Sequence, residues 1–210
     1  MTTDTKTNVL YQQVREKIVY GEIQPGAILT EAELAEEYGV SRAPVREALV
    51  LLGHEGFVES MPRIGYVVTS FTVQDVLETF HLRSVLEVEA AGLAAERITE
   101  EEIAALLKNS EEESALLAKG HEGSVYERGY ELNMEFHQLI ARASGNHRLA
   151  DLITRLMEDM LRILAFDPRF VEPQHHKEII EALQQRDREK AKQAMAEHLE
   201  QTKYRLLHRF

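Results

Sequence analysis

Three histidines and one asparagine in the second half of the 210-residue chain carry the donor types of a metal site. On a helix, Asn133 and His137 share a face because they stand four residues apart. His137 precedes Ile140 and Ala141 by one turn, His176 shares a face with Ile179, Ile180 and Leu183, and His198 continues the stripe of Ala191, Ala194, Met195 and Thr202. Polar residues on apolar faces are informative because buried polar groups need partners. Imidazole nitrogen and amide oxygen suit a borderline divalent cation such as zinc, nickel or manganese, with positions left open for water or a ligand. For each histidine alone, the competing reading is a hydrogen-bonded core residue. His175 adjoins His176 but sits off the apolar stripe, and His54, His81, His121, His147 and His208 read as surface or interface residues.

A second set of residues suits nucleic acid. Ser41-Arg-Ala-Pro-Val-Arg46 opens a predicted helix whose Arg42 and Arg46 share a face, while Val45, Leu49 and Leu52 face elsewhere. Arginine makes bidentate bonds to guanine O6 and N7 or pairs with phosphate. Ser41 and the helix N-terminus can hold a phosphate. Arg63 sits at the tip of a predicted turn beside Ile64 and Gly65, where backbone can come close to a ligand. The plainer reading is two solvated arginines on a small domain.

Local sequence signals place these residues on elements. Val9, Leu10, Val14, Ile18 and Val19 predict a helix over about residues 8–20, ended by Gly21 and the Gln24-Pro25-Gly26 turn. Thr30-Glu-Ala-Glu33 reads as a capping box opening a short helix to Tyr38. Gly39-Val40 makes a turn, Ser41 caps the next helix, and Pro44 lies in its first turn, where no intrahelical N–H is missed. That helix runs to about His54, and Phe57 to Thr69 alternates around Met61-Pro-Arg-Ile-Gly65 as a β-hairpin. From Thr72 onward the pattern is helical, over roughly 72–97, 100–119, 123–144, 146–166, 172–186 and 188–208, which predicts an antiparallel bundle. The expected architecture is mainly α, a winged helix-turn-helix over 1–70 followed by an all-helical antiparallel bundle over 71–210. A helix in the major groove, about 12 Å wide, with a wing beside it is how such a module reads DNA.

Composition narrows the function classes. The absence of cysteine excludes disulfides, thiolate zinc fingers, iron–sulfur clusters on thiolates and cysteine nucleophiles. The net charge of −12 argues against a general polyanion binder, but not against a specific DNA reader with a local basic patch. Residues 1–70 hold 6 Lys and Arg against 10 Asp and Glu, so a DNA claim rests on particular side chains. Mean hydropathy is −0.32. No apolar run is long enough for a membrane span, and Met1-Thr-Thr-Asp-Thr-Lys-Thr lacks a secretory core, so a soluble cytoplasmic protein without a membrane partner is expected.

The ordered stretch Ile23-Gln-Pro-Gly26, Leu34-Ala-Glu-Glu-Tyr-Gly-Val-Ser-Arg-Ala-Pro-Val-Arg-Glu-Ala-Leu49, Leu52, Glu55-Gly-Phe-Val58 and Gly65-Tyr-Val-Val68 closely resembles the DNA-binding domain of the GntR family of bacterial transcription regulators. The resemblance implies DNA contacts from Ser41, Arg42, Arg46 and Gly65. Ala32 stands where some members carry a DNA-touching arginine, a change that lowers affinity or shifts the operator sequence. Leu82-Arg-Ser-Val-Leu-Glu87, Asn133-Met-Glu-Phe-His137, Ala143-Ser-Gly-Asn146, His176-Lys-Glu-Ile-Ile-Glu-Ala-Leu183 and Ala194-Met-Ala-Glu-His198 resemble the FCD-type effector-binding domain of the family's FadR-like branch. This implies a divalent metal held by Asn133, His137, His176 and His198, anchoring a small carboxylate effector. Many relatives have aspartate at the first position, and asparagine takes one negative charge from the site. Arg83 is either a second anchor for the acid or the salt-bridge partner of Glu87, four residues on. Arg142, Phe80, Tyr126, Tyr130 and Phe166 are pocket or core residues.

The expected function is a homodimeric transcription regulator, most simply a repressor, that binds double-stranded operator DNA and is controlled by a small organic acid. Two other readings use the same ligands: a metal-responsive regulator without an organic effector, and a helical-bundle metallohydrolase with a zinc-bound water.

Overall fold

A computed structural model describes residues 2–70, 72–118, 124–164 and 176–208. The chain divides into two compact units, Met1–Phe71 and Thr72–Phe210.

In the first unit, α1 (Thr2–Val19) packs against α3 (Arg42–His54), and α2 (Glu31–Glu37) leads into α3 through the Gly39 turn. Leu10, Val14 and Ile18 of α1 and Val45, Leu49 and Leu52 of α3 are buried, which leaves the other side of α3 to solvent. Helix α1 starts six residues earlier than its apolar periodicity predicts. Buried Thr7 there donates its hydroxyl to Glu47 of α3 at 2.9 Å, a tie that hydrophobic spacing cannot signal.

The hairpin is β2 (Val58–Met61) and β3 (Gly65–Val68) in antiparallel register, Val58 opposite Val68 and Met61 opposite Gly65. A third strand, β1 (Ile28–Leu29), pairs with the far edge of β3 and was not expected from sequence. Two residues are too few for a periodic signal. This strand also gives Gly65 a role within the fold. Its φ is +134°, and a Cβ there would lie 2.6 Å from the Leu29 carbonyl oxygen. Backbone does approach closely at this glycine, but the approaching group is β1.

The second unit is helical throughout its described residues. It comprises α4 (Val73–Arg97), α5 (Glu100–Leu117), α6 (Ser124–Ala143), α7 (His147–Leu164), α8 (Lys177–Gln184) and α9 (Arg188–Leu207). Thr72 with Asp75 and Thr99 with Glu102 form complete capping boxes, so α4 and α5 begin where local chemistry predicts. The box expected at Thr30 is only half made. Its hydroxyl accepts from the Glu33 N–H, but the Glu33 carboxylate takes up the same hydroxyl instead of the Thr30 backbone N–H.

Helix α4 is central and packs against α6, α7, α8 and α9. Its buried Ala90, Ala91, Gly92, Ala94 and Ala95 let neighbours approach closely. Short connections at Ile98-Thr99, Ser144–Asn146 and Gln185–Asp187 fold successive helices back on one another. The main apolar cluster joins Ile98, Ile103, Leu106, Phe136, Ile140, Ile179, Leu183, Met195 and Leu199. No helix among the described residues is long and apolar enough to cross a membrane.

Gly65→Ala should destabilise the first unit by about 2 kcal/mol or more, since it combines a positive φ with a clash against backbone. Urea unfolding of the variant checks this, and an unchanged midpoint would refute the steric account.

Candidate nucleic-acid interface and metal centre

Helix α3 exposes Arg42 and Arg46 on one side and buries Pro44, Val45, Ala48, Leu49 and Leu52 on the other. Ser41 has the extended backbone of an N-cap (φ −74°, ψ 163°), yet its hydroxyl makes no capping bond, contrary to the sequence expectation. That exposed hydroxyl sits beside the N–H groups of a helix start.

Arg46 is already engaged. Its Nε donates to Glu31 Oε1 at 2.7 Å and its Nη2 to Oε2 at 2.8 Å, a bidentate pair between α3 and the first residue of α2. These bonds, with Arg42 adding its field, hold the Glu31 carboxyl below its ordinary range. Sequence reasoning missed Glu31, because an acid at a helix start is ordinarily explained by the helix dipole. Arg63 is exposed at the hairpin tip with φ +67°, a left-handed conformation uncommon for a residue with a Cβ. The Ile64 N–H bonds to the Met61 carbonyl at 3.1 Å across this turn.

In the second unit, the three histidines meet. Helix α6 carries Asn133 and His137, α9 carries His198, and His176 stands immediately before α8 as its N-cap. The expected helix over 172–186 is thus observed from Lys177, while positions 172–175, including His175, lie outside the described residues. His137, His176 and His198 are all buried, and one nitrogen from each lies within 4.8 Å of the others. The Nε2 atoms of His137 and His198 are 3.3 Å apart. Phe136 stacks on His176 with ring centroids 3.7 Å apart and planes 7° from parallel, which fixes the ring's tilt.

Two buried carboxylates stand behind the imidazoles. Glu87 of α4 lies 2.5 Å from His137 Nδ1, and Glu113 of α5 lies 3.2 Å from His176 Nδ1. Burial by itself would push Glu87 up, but Arg83 and His137 outweigh it and hold the carboxyl well below the usual range. Burial pushes Glu113 up to about 8, a cost that a cation among the imidazoles would offset. Burial, with His176, His137 and Arg83 nearby, holds His198 well below its ordinary range, so it is neutral and able to ligate. Glu113 was missed within the acidic run Glu111-Glu112-Glu113. The signal was its helical spacing with Ile103, Leu106 and Asn109, which puts it on the core stripe.

A core of hydrogen-bonded histidines accounts for part of this arrangement. His198 Nε2 can share a proton with His137 Nε2 at 3.3 Å. That pairing leaves His198 Nδ1 and Asn133 Oδ1 buried with no hydrogen-bond partner among the described residues. Each such orphan costs about 1–3 kcal/mol. Three imidazoles and an amide oxygen are also an apt donor set for a borderline dication, so the residues present fit such an ion.

Arg83 forms the salt bridge that sequence offered as one of its two roles. Its Nε lies 2.5 Å from Glu87 Oε1, and both side chains are at most 3% exposed. Among the proposed pocket residues, Phe80 and Tyr130 are core and Arg142 is exposed, while Tyr126 and Phe166 lie outside the described side chains. His54, His81, His147 and His208 are exposed as expected, and His121 lies outside the described residues. Arg83→Ala should cost about 3–5 kcal/mol of unfolding free energy without any ligand, because it strands a buried carboxylate. Denaturation of the free protein checks this, and a loss below about 1 kcal/mol would reject the structural role.

Residues 6–68 match the family model of bacterial regulatory proteins of the gntR family, and residues 78–201 match that of the FCD domain. The helix-turn-helix transcriptional regulator YdhC of Bacillus subtilis (strain 168) is 34% identical over 90% of this chain and 85% of its own length. The helix-turn-helix transcriptional repressor RspR of Escherichia coli (strain K12) is 30% identical over 96% of this chain and 92% of its own. The solved structure of E. coli McbR/YncC superposes with a TM-score of 0.77 at 26% identity, covering 97% of this chain and 98% of that one. These matches set aside the metallohydrolase reading: the chain belongs to the GntR family of bacterial transcription regulators, with a winged helix-turn-helix that binds DNA followed in sequence by an FCD domain.

Proposed function

We propose that this regulator is a cytoplasmic homodimeric repressor whose hold on its operator is controlled by a small organic acid bound in the FCD domain. The observation that carries the reading is the buried cluster of His137, His176 and His198, with Asn133 Oδ1 orphaned on the same helix face as His137. Asn133, His137, His176 and His198 would hold a divalent cation, zinc, nickel or manganese. When bound, the cation supplies a positive charge to which carboxylate oxygens can attach. Arg83, paired with Glu87 in this structure, would serve as the second anchor for the acid only by leaving that carboxylate. On the DNA side, Ser41, Arg42 and Arg46 are offered to the major groove, and the wing presents Arg63 beside Gly65. The E. coli relative named a repressor supports that sign of regulation.

Two-fold symmetry in the protein calls for two half-sites in the operator. Exposed Leu77, Leu82 and Val85 on α4 and exposed Leu152 on α7 are apolar side chains that a second copy would cover. The acid then selects between a spacing of the two winged helices that suits the half-sites and one that does not.

Selection of genomic fragments by the full-length protein at about 0.15 M salt should recover a short inverted repeat. Arg46→Ala should weaken binding to it by roughly 5- to 150-fold while leaving random DNA less affected, if Arg46 reads a base. Equal losses on both DNAs would make Arg46 a phosphate contact. Adding zinc alone, then zinc with a panel of carboxylic acids, separates an acid-controlled regulator from a metal-responsive one. An operator affinity that no acid changes would reject effector control. Val85→Asp should convert the dimer to monomer by sedimentation, and an intact dimer would move the interface elsewhere.

A further inference from the structure

We propose that Glu87 and Glu113 are positioning residues of the metal centre, each holding one ligand histidine by Nδ1 and supplying the negative charge that the ligands lack. The inference rests on the metal-site reading above and goes beyond it by assigning two residues from two further helices. A neutral imidazole carries one proton, and only the other nitrogen can ligate. Glu87 at His137 Nδ1 and Glu113 at His176 Nδ1 keep the proton on that side, which leaves each Nε2 lone pair for the cluster. Stacking of Phe136 on His176 adds a second restraint on the same ring. His198 has no such carboxylate among the described residues.

The charge balance separates the two carboxylates. Three imidazoles and an amide are neutral, so a dication held by them is countered only from outside the ligand set. Glu87 shares its charge with Arg83 at 2.5 Å. Glu113 faces no arginine or lysine ion-pair partner among the described residues, so a cation among the imidazoles would be its counter-charge. Removing Glu113 should therefore weaken the ion more than its distance from it suggests. It is also the safer test, because its loss strands no buried guanidinium.

The experiment measures zinc affinity of the full-length dimer by competition with a chromophoric chelator, beside the thermal midpoint of the metal-free protein. Glu113→Gln keeps an acceptor and removes the charge, and it should lower zinc affinity about 10-fold with the metal-free midpoint little changed. Glu113→Ala removes both and should approach about 100-fold. In nitrogen-15 spectra of histidine-labelled, metal-free protein above about pH 9, where the Glu113 carboxyl is ionised, wild-type His176 should carry its proton on Nδ1, and the alanine variant should lose that preference. If the glutamine variant fails to fold, Glu113→Asp carries the test by drawing the carboxylate back one methylene, and weaker zinc is again expected. Zinc affinity unchanged from wild type in a folded variant would overturn the inference and leave the metal site standing. A wild-type protein that binds no zinc, nickel or manganese would overturn both.

Discussion

The second unit is organised around a polar cluster inside an apolar core. Three imidazoles, two carboxylates and a guanidinium are buried where Phe136, Ile179, Met195 and Leu199 exclude water. Ionised groups in such a place are stable only as a connected set. The set here is continuous from Arg83 through Glu87 to His137 and His198, with His176 and Glu113 closing the other side. Its members come from α4, α5, α6, the start of α8, and α9. Apolar packing fixes where these helices cross, and the cluster fixes how each may turn about its axis. A change of charge at the centre would therefore act on five segments at once.

The same coupling explains why a site of this kind is not a neutral ornament of the fold. Apolar residues of similar volume would fill the space at lower risk, because each unmet donor or acceptor is costly. Asn133 Oδ1 and His198 Nδ1 remain unmet. A cation or ligand that met those atoms would stabilise the folded form in proportion to its own affinity.

Much of this was legible because it is local. The helix starts at Thr72 and Thr99 were read correctly, as were the turn at Gly39, the hairpin and the inward face of the three histidines, since each rests on residues within one or two helical turns. What escaped is non-local. β1 exists only by pairing Ile28 and Leu29 with Val67 and Tyr66. The start of α1 depends on Thr7 reaching Glu47, forty residues away in sequence. Ser41 looked like a cap by type and position, but its hydroxyl is not used that way. Glu113 was hidden by its neighbours, because three consecutive acids look like a solvated surface until helical phase singles out the third. Arg83 had two readings of equal merit, and burial beside Glu87 chose the salt bridge as its resting partner.

The DNA-facing unit shows how an acidic chain can still read DNA selectively. Residues 1–70 carry more acids than bases, so unspecific attraction to phosphate is weak. Arg46 stands in a bidentate pair with Glu31, which uses two of its five N–H groups. An exposed pair of this type contributes little to stability, because water and salt screen it. A bidentate contact to a guanine edge is considerably stronger, so the correct site can draw Arg46 away from Glu31. A lone phosphate, approached with Glu31 beside it, offers a poorer exchange. If Arg46 reads a base, as proposed above, Glu31 would raise the threshold for every other DNA contact while leaving that one favourable.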